Sequence, residues 1–278
     1  VGEVVVTLNP NGATGAFDAD LVMENDSSME SLRMRKVAFM ARAFNFDGPV
    51  AHYTLDETEG SAISDVTGFD RHATVGDGVT LGSASLIGGD GTAATFSGWQ
   101  VIADLSTAEA LTDFSVSLWM NAAEGVVDLQ TVFARDDSGT PAFGLLLMDG
   151  NLQWFVSDQA YFETTDAPIT PGTTYHVVAV YEKSQDETLT LYLDGNEIAK
   201  QSGLNPFEDF ADGPFLLGSF NSVFSFNGVL DDVQIYGKAI SAEDSRFLYD
   251  NPGDVLGSPP PDGGAVAVIT WEAVNTNT

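Results

Sequence analysis

The sequence predicts an all-β protein, folded as an antiparallel two-sheet sandwich or jelly roll. About a dozen short runs rich in β-branched and aromatic residues alternate with turns rich in glycine and aspartate, a pattern typical of these folds. Two Asp-Gly-Asn turns, at residues 149–151 and 194–196, join such runs and are strong hairpin signals. The one helix that we predict is at 242–249, after Ser241 and with Asp244 in capping-box position.

The 278-residue chain is strongly acidic, with 41 Asp and Glu against 10 Lys and Arg and a formal net charge of -31. Such a surface repels nucleic acids and anionic membranes, so neither is an expected partner. Hydrophobic residues make up 44% of the chain, enough for a large core. The absence of cysteine excludes disulfides and thiol nucleophiles. No apolar run approaches the roughly 20 residues of a membrane helix, so membrane insertion is not expected.

Four segments differ in their pattern. Residues 1–49 have the pattern of a small β unit, 50–252 of the large sandwich, 253–264 of a Pro/Gly linker and 265–278 of one further strand. Pairing that last strand with the first segment gives a small β unit into which the sandwich is inserted. A sheet this small is marginal alone, and an unpaired terminal strand is a template for exchange between copies. Self-association through the terminal strands is therefore a candidate property.

Four of the ten basic residues lie within ten positions of the first segment. The surrounding stretch, 32–46, has the pattern of a long strand, with a helix over 29–44 as the alternative. The basic cluster is either a solvated face or an assembly contact that docks on an acidic surface of the same chain or a neighbour. Its members are Arg33, Arg35, Lys36 and Arg42.

The strand near the end of the large domain carries two consecutive carboxylates, Asp231 and Asp232. Strict alternation places Asp231 in line with apolar Val233 and Ile235, and Asp232 on the opposite face. A carboxylate in a buried apolar row needs a partner, because an unpaired buried charge is very costly. No Lys or Arg precedes the pair closely, so a cation is a serious candidate.

Several motifs, in this order, resemble bacterial concanavalin A-like jelly rolls of the laminin G type. They are AHYTLDE at 51–57 with DVTGFD at 65–70, FSVSLWM at 114–120, TYHVVAVY at 174–181, LYLDGN at 191–196, and GVLDDVQIYGKAIS at 228–241. The resemblance covers roughly three quarters of the 278 residues and implies a jelly roll of two antiparallel sheets with adjacent ends.

The resemblance also implies a structural calcium ion between the first and last strands. Carried over residue by residue, the ligand on the closing strand would be Asp231, or Asp232 if the strand is one residue out of phase. The opening strand would supply Asp56, and the next loop Asp70 or a carbonyl near Gly76. Calcium takes about six to eight oxygen ligands from carboxylates and carbonyls, which suits this set. The alternative is plain solvated carboxylates without a metal.

Catalysis has little support in the sequence. The three histidines, His52, His72 and His176, are scattered, and no Gly-x-Ser-x-Gly elbow, phosphate loop or His-Glu-x-x-His helix is present. The Glu-x-Asp-x-x-Glu strand of jelly-roll β-glucanases and the strand motifs of jelly-roll alginate lyases are also missing. We therefore expect a protein that is not an enzyme.

Binding has better support. Sugar-binding modules stack pyranose faces on exposed aromatic rings, and the best candidates here, expected in loops, are Trp99, Tyr161 and Phe162; the alternative is that they cap the sandwich edge. The sequence thus predicts an extracellular or cell-surface laminin G-like module for adhesion or surface assembly, which recognises glycan or protein. Two other classes stay open: a filament or capsid subunit assembled by strand exchange, and an accessory carbohydrate-binding domain of a polysaccharide-active enzyme.

Overall fold

A computed structural model of the chain describes residues 2–8, 15–19, 37–41, 48–98, 101–103, 113–124, 129–137, 140–156, 160–163, 168–183, 187–203, 214–220, 224–257 and 265–271. It contains two compact units. The smaller is formed by Val1–Phe46 with Pro260–Thr278, and the larger by Asp47–Pro259.

The smaller unit consists of two strand pairs. Strand β1 (Gly2–Leu8) pairs antiparallel with β20 (Ala265–Trp271), which joins the first and last segments as the sequence suggests. Strand β2 (Gly15–Ala19) pairs with β3 (Val37–Ala41), so the part of 32–46 that is described is a strand and not a helix. The predicted assembly residues lie outside the described residues; they are Arg33, Arg35, Lys36 and Arg42.

The larger unit is built from sixteen strands in the part of the chain that the structure describes. They are β4 (Ala51–Tyr53), β5 (Ala62–Ile63), β6 (Ala73–Thr74), β7 (Val79–Ala84), β8 (Thr92–Ser97), β9 (Val101–Ala103), β10 (Phe114–Ala122), β11 (Gln130–Asp137), β12 (Thr140–Met148), β13 (Asn151–Val156), β14 (Ala160–Glu163), β15 (Thr174–Glu182), β16 (Thr188–Leu193), β17 (Asn196–Gln201), β18 (Phe215–Leu217) and β19 (Asn227–Tyr236).

These strands form two antiparallel sheets, and the predicted sandwich is confirmed. The first sheet has the order β17-β16-β15-β10-β19-β8-β7, with β4 also paired to β19. The second has the order β14-β13-β12-β11-β18-β9-β6-β5. The sequence did not predict β5, β6, β7 or β14. Two of these have only two residues, too few for a periodic signal, and β7 is broken by Gly82 at φ 77°.

The core lies between the sheets and is rich in aromatic rings. Trp154 of β13 is fully buried, and its ring meets Phe114 of β10 at 5.9 Å and Phe143 of β12 at 6.1 Å, both edge to face. Its indole Nε1 donates to the carbonyl of Val180 at 3.1 Å, so the polar tip of the buried side chain is satisfied. This contact ties the second sheet to β15 of the first.

The predicted helix is confirmed as α1 (Ala242–Asp250). The Ser241 hydroxyl accepts from the backbone N–H of Asp244 at 3.1 Å, and the Asp244 carboxylate accepts from the Ser241 N–H at 2.9 Å, which completes the capping box. The helix packs on the outer face of the first sheet, and the chain continues there to Leu256. The apolar contact consists of Val178, Val180, Tyr192, Tyr236, Ile240, Leu248 and Leu256. No helix among the described residues is long and apolar enough to cross a membrane.

Candidate functional site

The two carboxylates of the closing strand lie at a β-bulge. In the pairing of β10 with β19 the register shifts between Ser117 and Trp119, so that Asp232 and Val233 together lie opposite a single residue of β10. Asp232 has a φ of 48°, a left-handed conformation that Asp tolerates better than most residues.

The bulge reverses the side-chain alternation of β19. Leu230, Val233 and Ile235 all join the core, whereas Asp231 pairs with Trp119, which stacks on Tyr249 of α1 on the other side of the sheet. The predicted placement of Asp231 in line with Val233 and Ile235 is therefore wrong. The extra residue removes both carboxylates from the apolar row, and strict alternation could not have shown this.

Asp232 links the first and last strands of the larger unit directly. His52 of β4 has its Nε2 at 2.6 Å from Asp232 Oδ1, and Gln234 donates to Asp232 Oδ2 at 2.9 Å. The three side chains are buried, with exposed fractions of 6%, 4% and 1% for His52, Asp232 and Gln234. The charge of Asp232 is thus met by a histidine and an amide of the same fold.

The hydrogen bonds continue from Gln234 into the tail that follows α1. Its Nε2 also donates to the carbonyl of Asp254 at 3.0 Å, and its Oε1 accepts from the hydroxyl of Tyr236. That hydroxyl in turn accepts from the N–H of Leu256 at 3.2 Å. We call these residues, with His52 and Asp232, the β19 clasp, because they join the opening strand, the closing strand and the tail.

Asp231 has a different set of partners. Its Oδ2 accepts from the hydroxyl of Ser85 at 2.9 Å and from the N–H of Leu86 at 2.8 Å, in the loop after β7. Burial raises the pKa of Asp231 to about 6; these hydrogen bonds oppose the shift and the charge of Asp232 adds to it. Asp231 therefore anchors a loop at the cost of burying its own charge.

The other two carboxylates named by the resemblance lie in exposed loops. Asp56 accepts from the N–H of Thr92 at 2.7 Å, and Asp70, with its side chain 92% exposed, is 3.9 Å from His72 Nε2. Within the described ranges, no three His, Asp or Glu side chains converge in a way that could hold a metal ion. Asp56, Asp70, Asp231 and Asp232 thus do not form one cluster of carboxylates, and a calcium held by fewer carboxylates together with carbonyl groups stays a prediction.

The calcium prediction has a direct test in thermal melting. A resident ion that binds only the folded chain stabilises it by mass action, so the melting temperature would fall in EDTA and recover with Ca²⁺ but not with Mg²⁺. An unchanged melting temperature would overturn the prediction. It is also the result expected if protein hydrogen bonds alone hold these carboxylates.

A second buried histidine lies on the same outer face of the first sheet. His176 Nε2 is 2.9 Å from the hydroxyl of Ser117, and its ring centroid is 5.0 Å from that of Trp119. Its Nδ1 is buried and has no hydrogen-bond partner among the described residues. Ser117 and His176 are 2% and 1% exposed, so this serine–histidine pair is out of reach of a substrate and serves packing.

The buried His176 is expected to make stability fall at acid pH. Burial lowers its pKa to about 4 from 6.5, and the charge of Asp232 opposes the shift. A lowered pKa means that stability is present above pH 6.5 and is lost as the pH falls towards 4, by about 3 kcal/mol in all. Urea unfolding at pH 7 and 4.5 should show His176→Gln losing less stability than the wild type. His72→Gln, at a side chain 53% exposed, is the control; equal losses for all three proteins would contradict the assignment.

The predicted aromatic platform is only partly described. Trp99 lies outside the described residues. Tyr161 and Phe162 lie in β14, opposite Phe155 and Trp154 of β13, so the expectation that they lie in loops is wrong. Strand β13, the hairpin partner of β14, starts nine residues before it. Pairing with β13, rather than local composition, makes β14 a strand. Ligand binding by these three residues stays a prediction.

A sandwich of two antiparallel sheets in this order, closed by pairing of its first and last strands, defines a concanavalin A-like module. The chain belongs to the laminin G-type family described as the concanavalin A-like lectin/glucanases superfamily, whose model matches residues 88–244. No curated protein sequence matches the chain.

The solved structures with the same fold include three binding domains. The binding domain of Paraclostridial Mosquitocidal Protein 1 is 19% identical with a TM-score of 0.57, over 73% of this chain and 52% of that one. The botulinum neurotoxin serotype D ligand binding domain in complex with N-acetylneuraminic acid is 17% identical, with a TM-score of 0.59 over 74% and 51%. For the botulinum neurotoxin type G receptor binding domain the values are 11%, 0.54, 73% and 51%. The chain spans about half the length of these structures, and the likeness shows the fold.

Proposed function

We propose that the chain is a non-catalytic module that recognises a glycan or a protein outside the cell. One observation carries this proposal: four buried titratable side chains of the described larger unit serve the fold. Asp232 and His52 join strands, Asp231 anchors a loop, and His176 lies beneath α1. We therefore assign these buried side chains to stability and expect the recognition site on the surface.

The family and the charge support the same proposal. Members of a lectin and glucanase superfamily share this fold, and one similar structure holds N-acetylneuraminic acid. A net charge of -31 keeps such a module away from nucleic acids and anionic membranes, and it favours neutral or cationic partners. An exported surface protein meets such partners in the extracellular medium, where salt screens the repulsion within the chain.

The proposal is tested by presenting the full chain to an array of neutral and sialylated glycans and, in parallel, to immobilised extracellular matrix proteins. Saturable binding to either, without any turnover of the bound glycan, is the expected result. Release of reducing ends from a polysaccharide would contradict the non-catalytic assignment. No saturable binding on either surface would overturn the recognition function.

Self-association is a second candidate function, favoured by the two-stranded sheet of β1 and β20. Two strands form a marginal sheet, and each leaves one edge without a partner among the described residues. We propose that a second copy of the chain supplies further strands in a surface assembly. Light scattering of the full chain across a hundredfold range of concentration should then show a mass that rises from monomer to oligomer. A monomer at every concentration would contradict it.

A further inference from the structure

One patch of the second sheet faces away from the core along β12 and β13. Alternate residues of these strands, such as Leu145 and Trp154, are buried in the core. The residues between them pair across the two strands, Gly144 with Phe155 and Met148 with Asn151. We call this set the β12–β13 patch; it consists of Gly144, Leu146, Met148, Asn151, Gln153 and Phe155.

The β12–β13 patch carries no charge, although 41 of the 278 residues are acidic. Met148 is 40% exposed, Leu146 and Phe155 are partly exposed, and Gln153 is 8% exposed. Accessible surface without charge, in so acidic a chain, is typical of a contact surface.

The ring of Phe155 leans across the sheet over Gly144. A Cβ at position 144 would lie 2.8 Å from Phe155 Cε1 and 2.9 Å from its Cζ, so the ring occupies the space that the glycine leaves empty. An aromatic ring that covers a cross-strand glycine stabilises a sheet, which is the purely structural explanation. Because Phe155 is only partly buried, part of its ring is also accessible to a ligand in this position.

The patch is closed on one side and accessible on the other. Its central row continues from Gly144 to Ala134 of β11 and Leu216 of β18, which are 1% and 3% exposed. On the other side the row continues from Phe155 to Tyr161 of β14, and Gln153 pairs with Glu163 of the same strand. On the first sheet, by contrast, α1 and the tail cover the outer face. Among the described residues, the outer face of the second sheet therefore offers a partly exposed ring beside an amide at Phe155 and Gln153.

We propose that the β12–β13 patch binds an uncharged glycan, with a pyranose packed on Phe155 and hydroxyl groups bonded to the amide of Gln153. A sugar ring has an apolar C–H face and polar edges, which match an aromatic ring flanked by an amide on the same strand face. An acidic glycan is disfavoured as occupant, because a chain with a charge of -31 repels it. This assignment deepens the proposed function and rests on its glycan branch.

The test measures binding of the full chain to labelled neutral tetrasaccharides to hexasaccharides of hexose and N-acetylhexosamine units, next to sialylated counterparts. Phe155→Ala is expected to weaken the Kd for the neutral ligand at least tenfold, which corresponds to about 1.4 kcal/mol. Phe155→Trp should retain binding, because it keeps a ring. Phe247→Ala removes a ring 42% exposed on α1, across the sandwich, and should leave the Kd unchanged.

The outcomes separate the site from the function. Binding that survives in Phe155→Ala overturns the site and leaves glycan recognition in place, with Phe155 a cover for Gly144 only. Binding of sialylated but not neutral glycans overturns the ligand class. If the wild type binds no glycan, both the site and the glycan branch fail, and a protein partner on the matrix panel is then the explanation of the patch. If Phe155→Ala does not fold, Phe155→Leu replaces it, since leucine fills the space without a ring.

Discussion

Replacing Gly218 with alanine is expected to lower the free energy of unfolding by about 2–5 kcal/mol. Gly218 follows β18 at φ 75°, and an added Cβ would lie 2.1 Å from Cδ1 of Phe96, a fully buried ring of β8. The substitution therefore combines a left-handed backbone, about 1–2 kcal/mol, with overpacking of a rigid aromatic, about 1–3 kcal/mol. Urea unfolding followed by tryptophan fluorescence measures the change.

Gly89 offers a matched control for this prediction. Its φ is 76°, and nothing lies within 4 Å of an added Cβ. Gly89→Ala should therefore cost only the backbone component, about 1–2 kcal/mol. The difference between the two variants isolates the contact with Phe96. Equal losses would show that the sheets do not approach each other at this point as closely as described.

Removing the carboxylate of Asp232 is expected to be the most damaging polar substitution in the β19 clasp. Asp232→Ala leaves His52 Nε2 buried without its partner and removes one of the two acceptors of Gln234 Nε2, and breaking a buried pair in this way costs about 3–5 kcal/mol. Alanine at φ 48° adds backbone strain. The free energy of unfolding, measured by urea at pH 7.5, should fall accordingly.

The neighbouring carboxylate should behave in the opposite way. Burial raises the pKa of Asp231 to about 6, so its ionised form is disfavoured in the folded chain. The stability tied to this group is complete below its unfolded pKa of about 4 and is lost as the pH rises through 6. At pH 7.5, Asp231→Asn is thus expected to raise stability, by up to about 3 kcal/mol, while its amide oxygen still accepts from Leu86.

The contrast between these two variants also tests the calcium prediction. An ion bound by Asp231 would make Asp231→Asn destabilising in the presence of calcium, and an ion bound by Asp232 would make the loss in Asp232→Ala depend on calcium. Stabilisation by the first and a calcium-independent loss by the second would show that protein donors, and not a cation, hold both carboxylates. The measurement is repeated in EDTA to separate the two explanations.

Much of the fold was predictable because it depends on patterns among neighbouring residues. The capping box of Ser241 and Asp244 and the Asp-Gly-Asn turns at 149–151 and 194–196 each rest on a few adjacent residues. The candidate site was harder. His52 is 180 residues away from Asp232 in the sequence, and no sequence signal connects it to the closing strand. Gln234 is only two residues away, but its hydrogen bond to Asp232 also forms only in the folded chain. Tyr161 and Phe162 had the sequence of a loop and lie in a strand because β13 pairs with them.

By itself, the sequence determined that this chain forms an antiparallel sandwich with a strongly acidic surface and a short capped helix, because hydrophobic alternation, turn chemistry and charge are properties of neighbouring residues. Only the tertiary structure decided where the carboxylates of β19 lie. One extra residue at Asp232 reverses which face every following side chain takes, and a bulge is set by the pairing with β10 rather than by the strand itself. The tertiary structure also decided the position of the Phe155 ring, because that position depends on a glycine in the neighbouring strand.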